Sequence, residues 1–172
     1  MENKENKVSI IDLYKDKSLT VKQEQLNVFL NQDPPKSWVK IHPFVKNWKY
    51  LPIDKVEFLL KKFFKAYRIE VIEYKQIFNA ISCHVRVHYL NPATSEWDYH
   101  DGIAAVELQT KKDTGNLQAD FSNVNKGACT MALPIAKSLA IKDACDMFGS
   151  VFGANLNRKD VQPYSMDEKL LN

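Results

Sequence analysis

Ile81-Ser82-Cys83-His84-Val85-Arg86-Val87-His88-Tyr89 alternates apolar with polar side chains along its whole length. Successive side chains of an extended chain point to opposite faces. This period of two therefore predicts a half-buried strand with Cys83, Val85, Val87 and Tyr89 turned toward a core. Asn91-Pro92-Ala93-Thr94-Ser95 then reads as a turn, and Trp97 to Leu108 as a further strand whose inward parity changes near Gly102, as at a bulge. Before the alternating stretch, residues 69–76 are β-branched and mixed and complete an antiparallel meander.

Helical periods flank the meander. Pro52 is placed to open a helix in which Val56, Leu59, Leu60, Phe63 and Tyr67 recur on one face, with Lys55, Lys61, Lys62 and Lys65 outward. After a polar segment from Gln109 to Gly127, residues 128–148 form a helix with an unusually small inner face, Ala132, Ala136, Ala140 and Ala144 beside Ile135 and Leu139. Small residues let a helix lie close to a sheet, and Gly149 and Gly153 end it. Upstream, Val21, Leu26, Phe29 and Leu30 fit one face of a short helix that Asp33-Pro34-Pro35 stops. The order α, α, β-β-β, α specifies an α+β domain, a three-stranded antiparallel meander packed against helices. Its expected bounds are 18–160, between a polar, flexible arm at 1–17 and a polar, flexible tail at 161–172.

A length of 172 residues with 45% hydrophobic and 26% charged residues suits one globular domain with a single core. No run of about 18 apolar residues is present to span a bilayer. Met1 to Lys7 is too polar for a signal peptide, so a cytoplasmic location away from membranes is expected. Cys83, Cys129 and Cys145 are odd in number and far apart, as reduced thiols rather than a disulfide framework would be. The net charge of +3 permits a polyanionic partner without requiring one, so the placement of charge has to decide.

Lys36-Ser-Trp38-Val-Lys40-Ile-His42-Pro-Phe44-Val-Lys46-Asn-Trp48-Lys49-Tyr50 interleaves five lysines or histidines with four aromatics and contains no acidic residue. Cations hold phosphates and aromatic faces stack on bases, so this composition suits single-stranded nucleic acid. It equally suits core aromatics with a solvated lysine rim, and residue types alone leave both readings open. Cys83, His84, His88 and His100 invite a metal, but Cys83 points away from His84 and His88, and neither CxxC nor HExxH spacing occurs. Asp98, Asp101 and Glu107 could form a nuclease-like cluster, yet Gln109 stands where the usual lysine would follow. No GxxxxGK[ST] loop occurs, and Gly149-Ser-Val-Phe-Gly153 lacks the lysine, which excludes a phosphate-loop ATPase. Work on DNA would have to be driven by binding energy.

Residues 136–160 carry the pattern A-x-K-x-A-x-x-x-FG-x-x-x-G from Ala140 through Lys142, Ala144, Phe148 and Gly149 to Gly153, followed by a basic-acidic pair. Upstream lie Val85-Arg86-Val87, then Tyr99-His100-Asp101-Gly102, and further up Tyr50-Leu51 leading into the helix of Val56, Leu59 and Phe63. In this order and spacing the blocks, covering roughly residues 38–160, resemble the Rad fifty-two superfamily of single-strand annealing proteins. The Tyr-His-acidic-Gly block resembles the turn that ends the family's paired strands.

The resemblance implies a β-β-β-α core that assembles into an oligomeric ring or helical filament, with single-stranded DNA in a basic outer groove. It implies ATP-independent annealing of complementary strands in recombination and repair, without cofactor or catalysis, in a short phage or prophage member acting in the bacterial cytoplasm. An exonuclease or a single-strand binding protein is the implied protein partner. Lys40 falls where the family has a DNA-contacting arginine, Tyr50 where it has a groove tyrosine, and Lys142 where it has a groove lysine. Lys36, Trp38, Lys46, Lys49, Arg86, Lys126 and Arg158 are further DNA-binding candidates. The chain departs from the family at Asp143 and Asp146, where the family's final helix is basic, and near Leu90-Asn91, where an outer lysine is missing. Arg86 has an alternative role in an ion pair with a neighbouring acid, and Lys142 one on a solvated helix face. The rival functions are a nucleic-acid-binding module that protects without annealing, a metal-dependent nuclease and a purely structural oligomer.

Overall fold

The computed structural model describes residues 17–43, 45–111 and 121–165. Residues 1–16 of the expected arm and 166–172 of the expected tail lie outside the described residues, as does Phe44, and Lys17 opens α1. The described elements are α1 (Lys17–Leu30), β1 (Lys40–Ile41), β2 (Lys49–Tyr50), α2 (Ile53–Phe63), β3 (Tyr67–Ile77), β4 (Ala80–Leu90), β5 (Trp97–Glu107) and α3 (Ala128–Asp146), with short 3-10 turns between and after them. The fold is α+β.

β4 is the middle strand of the antiparallel sheet β3-β4-β5. Its alternation is expressed as expected: Cys83, Val85, Val87 and Tyr89 are buried. Ser82, His84, Arg86 and His88 occupy the other face. α3 packs across β4 and β5, presenting Ala132, Ala136, Ala140 and Ala144, one per turn, together with Ile141 and Cys145. This close packing explains Gly102. A Cβ there would lie 2.8 Å from Ala144 Cβ and nearer still to Ala140 O and Ala144 N.

The expected bulge at Gly102 is therefore absent: β5 pairs with β4 without interruption from Ala80↔Glu107 to Leu90↔Trp97, and Gly102 marks helix contact instead. The register break falls in β3, between Val71 and Glu73. Tyr99-His100-Asp101-Gly102, read as similar to a turn, lies inside β5. Beyond the β3 bulge, residues 71–78 are exposed, and the Phe78-Asn79 turn carries Phe78 at φ 52° with its ring 81% exposed.

α2 starts after Pro52 and buries Val56, Leu59 and Leu60; it ends at Phe63, so Tyr67 opens β3 rather than extending the helix. At the C-terminal end of α3, Phe148 meets Phe64, Tyr89, His100 and Phe152 with ring centroids 4.6–5.0 Å apart. These aromatics close the core where α2, the sheet and α3 converge. Gly149 then takes φ +130°, and a side chain there would sit 2.8 Å from Leu30 O at the end of α1. Three side chains expected inside lie outward: Phe29 on α1 (54% exposed), and Ile135 and Leu139 on α3 (44% and 37%). The buried row of α3 is narrower than the apolar content suggests, because the alanines, with Ile141 and Cys145, already fill the space under the sheet.

Candidate nucleic-acid interface

The basic-aromatic stretch folds into a small antiparallel ladder, with Lys40 opposite Tyr50 and Ile41 opposite Lys49. Opposed residues of such a pair share a face, so Lys40 and Tyr50 project to the same side. Lys142, on α3, brings its Nζ to 5.0 Å from the centre of the Tyr50 ring, a cation-π contact. Of the three positions singled out by the family resemblance, Tyr50 and Lys142 are thus in contact, although α2 and the whole sheet separate them in sequence, and Lys40 shares the ladder face of Tyr50.

The ladder is held from the far end of the chain. Asn157 accepts from the Lys49 amide through Oδ1 and donates from Nδ2 to the Lys49 carbonyl, both at 2.8 Å, as a neighbouring strand would. Asn157 was not a sequence candidate, and nothing in its spacing points to a partner 108 residues away. Between the ladder, α3 and β5 lies a recess of about 260 Å³ walled by Trp48, Lys49, Tyr50, Lys142, Asp143 and Asp146. A second, of about 470 Å³, is bounded by Lys46, Trp48, Lys49 and Arg158. A third, of about 380 Å³, runs from Tyr50 and Lys142 along Ile53, Pro134, Ile135 and Leu139. Residues shared between the recesses make them one groove, with cations, two aromatic faces and an apolar wall.

Lys46, Lys49 and Arg158 therefore join Lys40, Tyr50 and Lys142 in or beside the groove, while the other candidates stand apart. Trp38 is half-buried against α2, edge-on to Phe58 at 5.5 Å, with Lys55 Nζ 5.5 Å from its ring. Lys36 lies on the exposed turn that carries Trp38. Lys126 precedes α3, about 24 Å of helix from Lys142 at 1.5 Å per residue. Arg86 lies on the sheet face away from α3, where Nε and Nη2 donate to the two carboxylate oxygens of Asp101 at 2.6 and 2.8 Å. Its guanidinium stacks 4.1 Å from the centre of the Tyr99 ring. That bidentate pair holds the Asp101 carboxyl down at about 2, and His84 Nε2 adds a weaker approach at 3.4 Å.

The groove's own charges are mixed. Lys142 is half-buried, and burial lowers its pKa against the opposing pull of Asp146. Asp146 is exposed at one edge, yet partial loss of hydration against the recess wall first, and then Asp143, push it up to about 6, against Lys142 and Arg158. Asp143 is committed structurally, since its Oδ2 accepts from the Ile103 amide at 2.9 Å.

The acidic trio weighed as a nuclease centre is dispersed. Asp98 accepts from the Tyr89 hydroxyl on the α3 side of the sheet, Asp101 faces the other way, and Glu107 ends β5. Among the described residues no three His, Cys, Asp or Glu side chains converge to hold a metal ion, and no helix is long and apolar enough to cross a membrane. No protein-family model matches the sequence, and no curated protein matches it.

Proposed function

We propose that the chain binds single-stranded DNA along this groove and anneals complementary strands without ATP, as a homo-oligomeric recombination protein of the phage type. The observation that carries the reading is the contact of Lys142 with the Tyr50 ring, on the ladder face that Lys40 shares, beside recesses walled by Trp48, Lys49, Lys46 and Arg158. Lysines and the arginine grip consecutive phosphates, and the exposed Trp48 and the Tyr50 ring offer stacking faces. A strand held by its backbone keeps its base edges free, so a complement searches register and pairs. Base pairing supplies the specificity and the driving force, and the protein supplies charge neutralisation and an extended geometry. Oligomerisation is supported by the exposed apolar hairpin, Ile72, Tyr74, Ile77 and Phe78. Many subunits on one strand convert weak individual sites into tight binding.

The test is annealing of two complementary fluorescent oligonucleotides without ATP or metal, comparing wild type with Lys40→Ala and Lys142→Ala, with the oligomer followed by light scattering. The wild type is expected to accelerate pairing, and both variants to lose the acceleration while keeping their size. If the wild type binds single strands but pairing is no faster than in buffer, annealing is refuted and the protective module replaces it.

A further inference from the structure

Asp146 is the one ionisable groove residue whose charge opposes the proposed ligand without serving the fold. It follows Asp143 by three residues on α3, so the two carboxylates flank Lys142 on one side of the helix. All three wall the same recess. Asp143 has a structural task in the bond from the Ile103 amide. Asp146, by contrast, has no ion pair within 4.0 Å among the described residues, with Lys142 and Arg158 acting on it only at longer range. The groups facing it are Lys142 and Asp143 on its own helix, Lys49 and Tyr50 from the ladder, and Arg158 beyond the last turn.

We propose that Asp146 is a proton-operated counter-charge of the groove. Ionised, it repels the phosphate that Lys142 would hold; protonated, it admits it, so single-stranded DNA binds more tightly as the pH falls. This rests on the DNA-binding reading above and adds its regulation. The sign follows from the environment. Asp146 keeps an exposed edge, but the loss of hydration against the recess wall, and then the like charge of Asp143 one turn before it, disfavour the carboxylate and bring its titration to about 6. The carboxyl is therefore mostly ionised at pH 7.5 and mostly neutral at pH 5. Lys142 and Asp146 wall the same recess of about 260 Å³, so a phosphate held there by Lys142 feels the Asp146 charge at a separation on the order of 7 Å. One unit charge at that range, in a surface dielectric between those of water and protein, changes affinity roughly three- to tenfold.

The experiment measures binding of a labelled oligothymidylate to the full chain at constant ionic strength from pH 5 to 8, for wild type, Asp146→Asn and Asp143→Asn. Thymine does not titrate in this window, and the four histidines contribute equally to every protein compared. The expected result is that Asp146→Asn binds about three- to tenfold more tightly than wild type at pH 7.5, and that the two converge at pH 5. Asn at 143 can still accept the Ile103 amide, so Asp143→Asn keeps the fold. It should move the midpoint of the wild-type pH dependence downward, which loss of packing would not do. If wild type and Asp146→Asn bind DNA equally at pH 7.5, the counter-charge is overturned while DNA binding stands. If neither binds at any pH, the DNA-binding reading itself falls.

Discussion

Substituting Gly102 with alanine tests the packing on which the groove depends. The added Cβ would sit 2.8 Å from Ala144 Cβ, about 0.6 Å short of ordinary van der Waals contact, and closer still to two backbone atoms of α3. Those backbone atoms have no rotamer by which to retreat, so α3 must lift from β5. Overpacking of this kind costs about 1–3 kcal/mol, and backbone obstruction places this case near ~3. Replacing glycine also restricts the unfolded chain, which returns about 0.5–1 kcal/mol. The net loss is then about 2 kcal/mol, or about 4–8 °C in Tm for a domain of this size. Thermal and urea unfolding followed by circular dichroism measure it. Adding Ala144→Gly should not rescue the variant, because the carbonyl of Ala140 and the amide of residue 144 remain in the way and a mid-helix glycine costs about 1 kcal/mol. A Gly102→Ala protein that melts with the wild type would refute the account, since α3 would then not lie so close to the sheet.

Two further predictions follow from the side chains described. Asp101 is held at about 2 by Arg86, so its contribution to stability is present above the ordinary carboxyl pKa near 4 and is lost as the pH falls from about 4 to about 2. Asp101→Asn should lack this share of the acid destabilisation when urea midpoints are compared across that window, and equal pH profiles would contradict the pairing. Trp48, 51% exposed at the junction of two recesses, should stack on a base. Trp48→Ala should weaken oligonucleotide binding by about 1–3 kcal/mol, with loss of the DNA-induced fluorescence quench, and an unchanged Kd would remove Trp48 from the contact surface.

The parts of the fold legible in the sequence were those written in a local period. The alternation of residues 81–89, the spacing of Val56, Leu59 and Leu60, and the alanine row of α3 each state which face is buried. Side chains that answer to distant neighbours were not legible. Gly102 reads as a bulge until Ala140 and Ala144 are seen above it, and Ile135 and Leu139 read as core until the alanines prove to fill the space under the sheet. At the groove, the basic-aromatic stretch and Lys142 could be singled out separately. The two-residue ladder and its bracing by Asn157 could not, because pairings this short carry no period and the brace is long-range. Asp143 and Asp146 stood out as departures from a basic pattern, but the different tasks of the two carboxylates depend on which amide lies within reach.

The bond from Ile103 to Asp143 also bears on how copies of the chain could join. β5 pairs with β4 alone, so its outer rim is a row of donors and acceptors that an incoming strand could zip onto. At Ile103 the donor is already taken, and by a carboxylate that would confront any arriving carbonyl. A strand adding at that register would lose one bond and meet like polarity, whereas among the described residues no side chain of α3 takes a backbone donor on the outer rim of β3. The two margins of the sheet are thus unequal, and the β5 margin is closed to strand addition at Ile103.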